Sequence, residues 1–87
     1  MNLEILTPEH KVYSGKVYGI QLPGTNGAFE ILEKHAPLIA SLGKGKMKVL
    51  LDKSMKNTET YDISAGFVEV LGENVSVLIE DATAQVL

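Results

Sequence analysis

The sequence predicts an all-β domain, a β-sandwich of about ten short strands in two sheets. Three observations carry this expectation. Apolar and polar residues alternate in runs of strand length. Turn signals built on glycine recur about every eight to twelve residues. The one stretch with helical spacing, through Ile31, Leu32, His35, Leu38, Ile39 and Leu42, is interrupted by Pro37. A proline there removes a helix hydrogen bond and clashes with the preceding turn, and Ala36 before it is driven toward extended backbone. That stretch reads as a turn followed by a strand.

The elements follow in order. NLEILT opens the chain, then KVYSG and KVYGIQL. PGTNG, residues 23–27, is the clearest turn signal, because Asn-Gly tolerates positive φ. AFEIL and PLIASL flank the turn that holds His35. In GKMKVLLD, Met47, Val49 and Leu51 alternate with Lys46, Lys48 and Leu50, which predicts a half-buried strand with its lysines outward. KSMKNT is a polar loop. TYDIS, GFVEVLG and NVSVLIED alternate again around turns at Gly66 and Gly72–Asn74, and TAQVL closes the chain. With no linker, repeat or low-complexity segment, residues 1–87 read as a single domain.

Composition narrows the function classes. The chain is 45% hydrophobic and 22% charged, a globular balance. It has no cysteine, which leaves neither disulfides nor a cysteine-based zinc site and suits a reducing compartment. No apolar run approaches the ~20 residues of a membrane helix, and the N-terminus lacks the shape of a signal peptide. The expectation is a protein on the cytoplasmic side, not itself inserted in a membrane. All eight cations are lysine and the net charge is −3. Nucleic acid is therefore a poor partner, for want of arginine forks and of positive charge. Charge is uneven along the chain: residues 44–58 hold five lysines (Lys44, Lys46, Lys48, Lys53, Lys56) and one acid, whereas residues 59–87 hold six acids and no base. The lysines read as a solvated strand face and loop, or as a docking surface for an acidic partner.

The candidates for chemistry are few. His35 as a general base needs a nucleophile or acid in reach, and no triad is legible. A histidine beside a proline turn more often bonds neighbouring backbone. Glu9, His10 and His35 match no metal-ligand spacing. PGTNG and GKGK match no phosphate-loop spacing and read as hairpin turns. Neither a catalytic residue nor a bound cofactor or metal is expected. Lys46-Met47-Lys48 is similar to the Met-Lys-Met of biotin and lipoate carrier domains. Its order is reversed, which places the lysines on a strand rather than at a turn. A carrier domain modified at Lys46 or Lys48 is the alternative reading.

Taken together, PGTNGAFEILEKHAPLIASLGKGKMKV and ISAGFVEVLGENVSVLIEDA resemble the N-terminal β-sandwich of the ATP synthase epsilon subunit, and LEILTPEHKVYSGKV matches its first hairpin. The resemblance covers essentially the whole chain. Departures are Glu30 in place of a glycine, Glu33-Lys34 in place of a proline-glycine pair, and Lys44 in place of a proline. The C-terminal helical hairpin of most members has no counterpart before Leu87. The resemblance implies a non-catalytic subunit of the central stalk that couples gamma-subunit rotation to the membrane ring of c subunits. It would sit peripherally, on the cytoplasmic face of a bacterial cell membrane. It implies c-ring contact through Gly24, Thr25, Asn26, Gly27 and Ala28, and gamma contact through Thr7, His35 and Ala40. His35 is then either interface or core, two readings that differ in what its truncation does to folding. Without the hairpin, constitutive coupling is expected, with no ATP binding and no self-inhibiting conformer.

Overall fold

The computed structural model describes residues 1–84. Ten strands follow one another: β1 (Asn2–Leu6), β2 (Lys11–Lys16), β3 (Gly19–Gly24), β4 (Gly27–Leu32), β5 (Leu38–Leu42), β6 (Gly45–Leu50), β7 (Thr58–Ile63), β8 (Gly66–Leu71), β9 (Asn74–Ile79) and β10 (Ala82–Ala84). Among the described residues there is no helix. The expected all-β fold is therefore what the chain adopts. Of TAQVL, Thr83 and Ala84 lie in β10, and the rest is outside the described residues.

The strands form two layers of five, β4-β3-β6-β7-β10 and β5-β8-β9-β1-β2. All neighbours are antiparallel except β1 and β9, which run parallel. The two expected sheets are in fact joined into one mixed sheet at a single corner. There Gly24 of β3 pairs with Leu42 of β5. The Thr25 N–H donates to the Ser41 carbonyl (3.1 Å) and the Gly43 N–H to the Pro23 carbonyl (2.8 Å). Gly24 also permits the tight β3–β4 hairpin beside this corner, because a Cβ there would lie 2.6 Å from the Gly27 carbonyl oxygen and 2.8 Å from the Phe29 ring. The result is a nearly closed, barrel-like sandwich.

Alternation places one side of each strand between the layers. Leu3 and Ile5 of β1, Ile20 and Leu22 of β3, Met47 and Val49 of β6, Val68 and Val70 of β8, and Val75 and Val77 of β9 are all buried. Each such side chain contributes about 1.5–3 kcal/mol relative to exposure. Lys46 and Lys48 point outward around Met47, as the Lys-Met-Lys order predicts.

The two outer faces differ in chemistry. On the first layer the outer face is polar. Gln21 Nε2 donates to Glu30 Oε2 at 2.7 Å, and Lys46 Nζ lies 3.6 Å from Asp62 Oδ1. On the second layer alternation gives way to apolar residues on both sides of the strands. Ile39 is 71% exposed, Leu71 65%, Phe67 48% and Leu78 37%. Register brings Phe67 opposite Leu78 and Leu78 beside Leu6, while Ile39 stands opposite Glu69 and Leu71 opposite Asn74. Exposed large apolar side chains gathered on one face mark an interaction surface.

Candidate functional site

Register also defines two ends of the sandwich. At the tip end lie the β3–β4 hairpin, the start of β8 at Gly66 and the β1–β2 turn, through the pairs Gly24↔Leu42, Leu42↔Gly66, Gly66↔Ile79 and Leu6↔Leu78. At the far end lie the β4–β5 connection and the β8–β9 turn. Strands of five or six residues separate the ends by roughly 17–20 Å.

The hairpin expected to meet the c-ring forms the tip. Pro23 and Gly24 belong to β3, so the turn narrows to Thr25 and Asn26. Positive φ falls on Gly27, at 124°, and not on Asn26. Gly24 through Phe29 face Ile39, Ala40 and Ser41 across a shallow groove. Ala40 thus stands beside the hairpin, with its methyl packed against the core while its neighbour Ile39 points outward.

Thr7 follows β1 and secures the β1–β2 turn. Its N–H donates to the His10 carbonyl (3.0 Å), its hydroxyl donates to the same oxygen (3.2 Å), and that hydroxyl accepts the His10 N–H (3.2 Å). Thr7, with Leu6, Pro8, Phe67 and Leu78, borders the apolar face at the tip end. His35 borders the same layer from the far end. The three residues expected to meet gamma are therefore not a cluster. They frame one layer, and the exposed apolar residues lie between them.

His35 is exposed, so it is not core in this chain. Its Nδ1 lies 2.8 Å from the Ala36 carbonyl oxygen, which requires the hydrogen on Nδ1. The bond is to the next residue, so it shapes the turn and spans no distance in the fold. His35→Ala is expected to change stability by no more than about 0.5 kcal/mol, as for an exposed residue. Chemical denaturation checks it, and a loss above ~1.5 kcal/mol would show a structural role that the geometry lacks. Lys34, before it, holds a left-handed φ of 62°. That conformation favours glycine, the residue that the family resemblance expects in place of Lys34.

The other candidates are dispersed. Glu9 and His10 lie at the tip end and His35 at the far end, so the three do not meet. Among the described residues no group of three or more His, Cys, Asp or Glu is placed to hold a metal ion. The lysines also separate, because β6 runs from one end to the other: Lys44 precedes it, and Lys53 and Lys56 follow it in the β6–β7 loop. In that loop Ser54 and Asn57 donate to the Asp52 carboxylate and hold it below the usual carboxylate range. Lys46 and Lys48 sit within β6, both paired to β7 and Lys48 also to Gln21 of β3, not at a hairpin tip. Burial pushes the Tyr13 and Tyr61 phenols up, with Glu59 adding to the effect, so both stay protonated at neutral pH.

Sequence reasoning missed Ile39, Phe67, Leu71 and Leu78. Their signal was the doubling of apolar residues in Leu38-Ile39, Phe67-Val68, Val70-Leu71 and Val77-Leu78-Ile79, where a half-buried strand needs only one of each pair.

A family model described as the ATP synthase delta/epsilon chain beta-sandwich domain matches residues 1–85. The chain belongs to this family. It is 38% identical to the ATP synthase epsilon chain of Chlorobaculum tepidum, over 93% of this chain and 90% of that one. It is 44% identical to that of Lawsonia intracellularis, over 94% of this chain but 59% of the relative. Among solved structures, a chain in the Euglena gracilis mitochondrial ATP synthase (OSCP/F1/c-ring) superimposes with a TM-score of 0.85 at 20% identity, over 94% of this chain and 51% of that one. A chain from the Tetrahymena thermophila mitochondrial ATP synthase central stalk and c-ring gives 0.77 at 17% identity, over 94% of this chain and 64% of that one. Those two likenesses concern the fold.

Proposed function

We propose that this chain is a non-catalytic rotor subunit of an ATP synthase, coupling the gamma subunit to the c-ring at the cytoplasmic face of a bacterial membrane. The supporting observation is the contrast between the outer faces. One is polar and suited to water; the other exposes Ile39, Phe67, Leu71 and Leu78. Such a surface suits a lasting partner. In this reading the apolar face, with Thr7, His35 and Ala40, receives gamma, and the Gly24–Ala28 hairpin at the tip meets the c-ring. Transmitting torque between two contacts requires a stiff body, which a close-packed sandwich supplies.

The test is reconstitution. Membranes whose ATP synthase lacks epsilon are supplied with this chain, and ATP-driven proton pumping is followed by fluorescence quenching. Restored pumping is expected. Binding to the enzyme without restored pumping would contradict the coupling role.

A further inference from the structure

We propose that the hollow between the β4–β5 turn and the β8–β9 turn is an anchor pocket for one aromatic side chain of the gamma subunit, a tyrosine or tryptophan. The inference rests on the rotor reading above and names the chemistry of one contact within it. The hollow holds about 220 Å³. A dry cavity of about 150 Å³ accommodates benzene, so one phenol or indole ring fits. Its floor is apolar, made by the buried Ile31, Val70 and Val75. Its mouth carries the exposed carboxylates of Glu33 and Glu73 and the ring of His35.

This combination selects the occupant. Ionised carboxylates only accept hydrogen bonds, so a ring with a donor at its tip satisfies floor and mouth together. A purely aliphatic anchor would strip water from the carboxylates and give nothing back. A lysine or arginine would pair with the carboxylates at the mouth but would leave the apolar floor without a ring to fill it. It would also meet Lys34 and the Met1 amino group, which lies 3.5 Å from Glu33. The pocket is continuous with the apolar face, because Val70 also lines the hollow under Ile39 and Leu71. Lys34 in its wall holds a left-handed φ of 62°, unusual for a residue with a side chain. Backbone held in such conformations is a recurrent feature of ligand clamps, and a preformed pocket lowers the ordering cost of binding.

The test uses methyl NMR of the full chain with p-cresol, the tyrosine side chain with a methyl stub, against toluene as the donor-free control. p-Cresol is expected to shift the methyl signals of Ile31, Val70 and Val75 saturably. Toluene should bind more weakly, and Glu73→Ala should weaken p-cresol about three- to tenfold. Added gamma subunit should displace p-cresol. Shifts that map elsewhere, or equal binding of toluene and p-cresol, would overturn the pocket's chemistry. Gamma that binds the chain yet leaves p-cresol in place would overturn the anchor while leaving the rotor reading intact. Gamma that does not bind the chain at all would overturn both.

Discussion

Gly66→Ala is expected to destabilise the domain by about 3 kcal/mol, lowering the melting temperature by roughly 15 °C. The reason is contact, not conformation. A Cβ at Gly66 would lie 2.1 Å from the Leu78 carbonyl oxygen and 2.8 Å from both the Ile79 Cα and its side chain. Two of those three atoms are backbone, so the β8–β9 ladder itself must open. That opening strains the Gly66↔Ile79 pair and the adjacent bond from the Glu80 N–H to the Ala65 carbonyl, 3.1 Å long. Gly72→Ala is the control. Gly72 has nothing within 4 Å of its missing Cβ, but its φ is 61°. Only the left-handed penalty of about 1–2 kcal/mol applies there. Thermal unfolding of both variants checks the ordering, and a milder effect at Gly66 than at Gly72 would contradict it.

Gly66 also shows where the sequence was legible and where it was not. The strand-and-turn rhythm could be read because alternation is local. Leu3 and Ile5, or Met47 and Val49, announce a buried side within a few residues. Gly66 reads locally as a turn residue, whereas it is the first residue of β8, required by the approach of a strand twelve residues away. Closure of the two layers at Gly24 was illegible for the same reason, since it depends on pairing with Leu42. His35 could be read as a turn-shaping residue, but its exposure depends on how the layers end. The apolar face was present in the sequence as doubled apolar residues. It was absorbed into the general hydrophobicity of strands, because parity alone does not say which of two apolar neighbours faces out. The lysines seemed one cluster along the chain, and only the direction of β6 pulls them to opposite ends.

The second large effect concerns binding. Ile39→Lys is expected to weaken association with gamma about 100-fold, the factor for roughly 2.7 kcal/mol at a central interface residue. Ile39 is the most exposed of the large apolar residues and stands in register with Glu69 of β8. Lysine at that position gains an opposite charge across the strands, so folding is spared while the apolar face acquires a cation. Isothermal calorimetry with gamma, beside thermal unfolding of the variant, separates the two effects. Unchanged affinity in a folded variant would place gamma elsewhere.

Because the account assigns two partners to two separate places on one rigid sandwich, paired crosslinking in assembled membranes tests it most directly. Cysteine is placed at Asn26, on the hairpin tip, and in a second variant at Leu71, exposed at the far end of the apolar face. Short bifunctional crosslinkers and mass spectrometry then identify each adduct. The expected products are a c-subunit adduct from Asn26→Cys and a gamma adduct from Leu71→Cys. Both positions reaching the same subunit, or neither reaching any in an intact assembly, would contradict it.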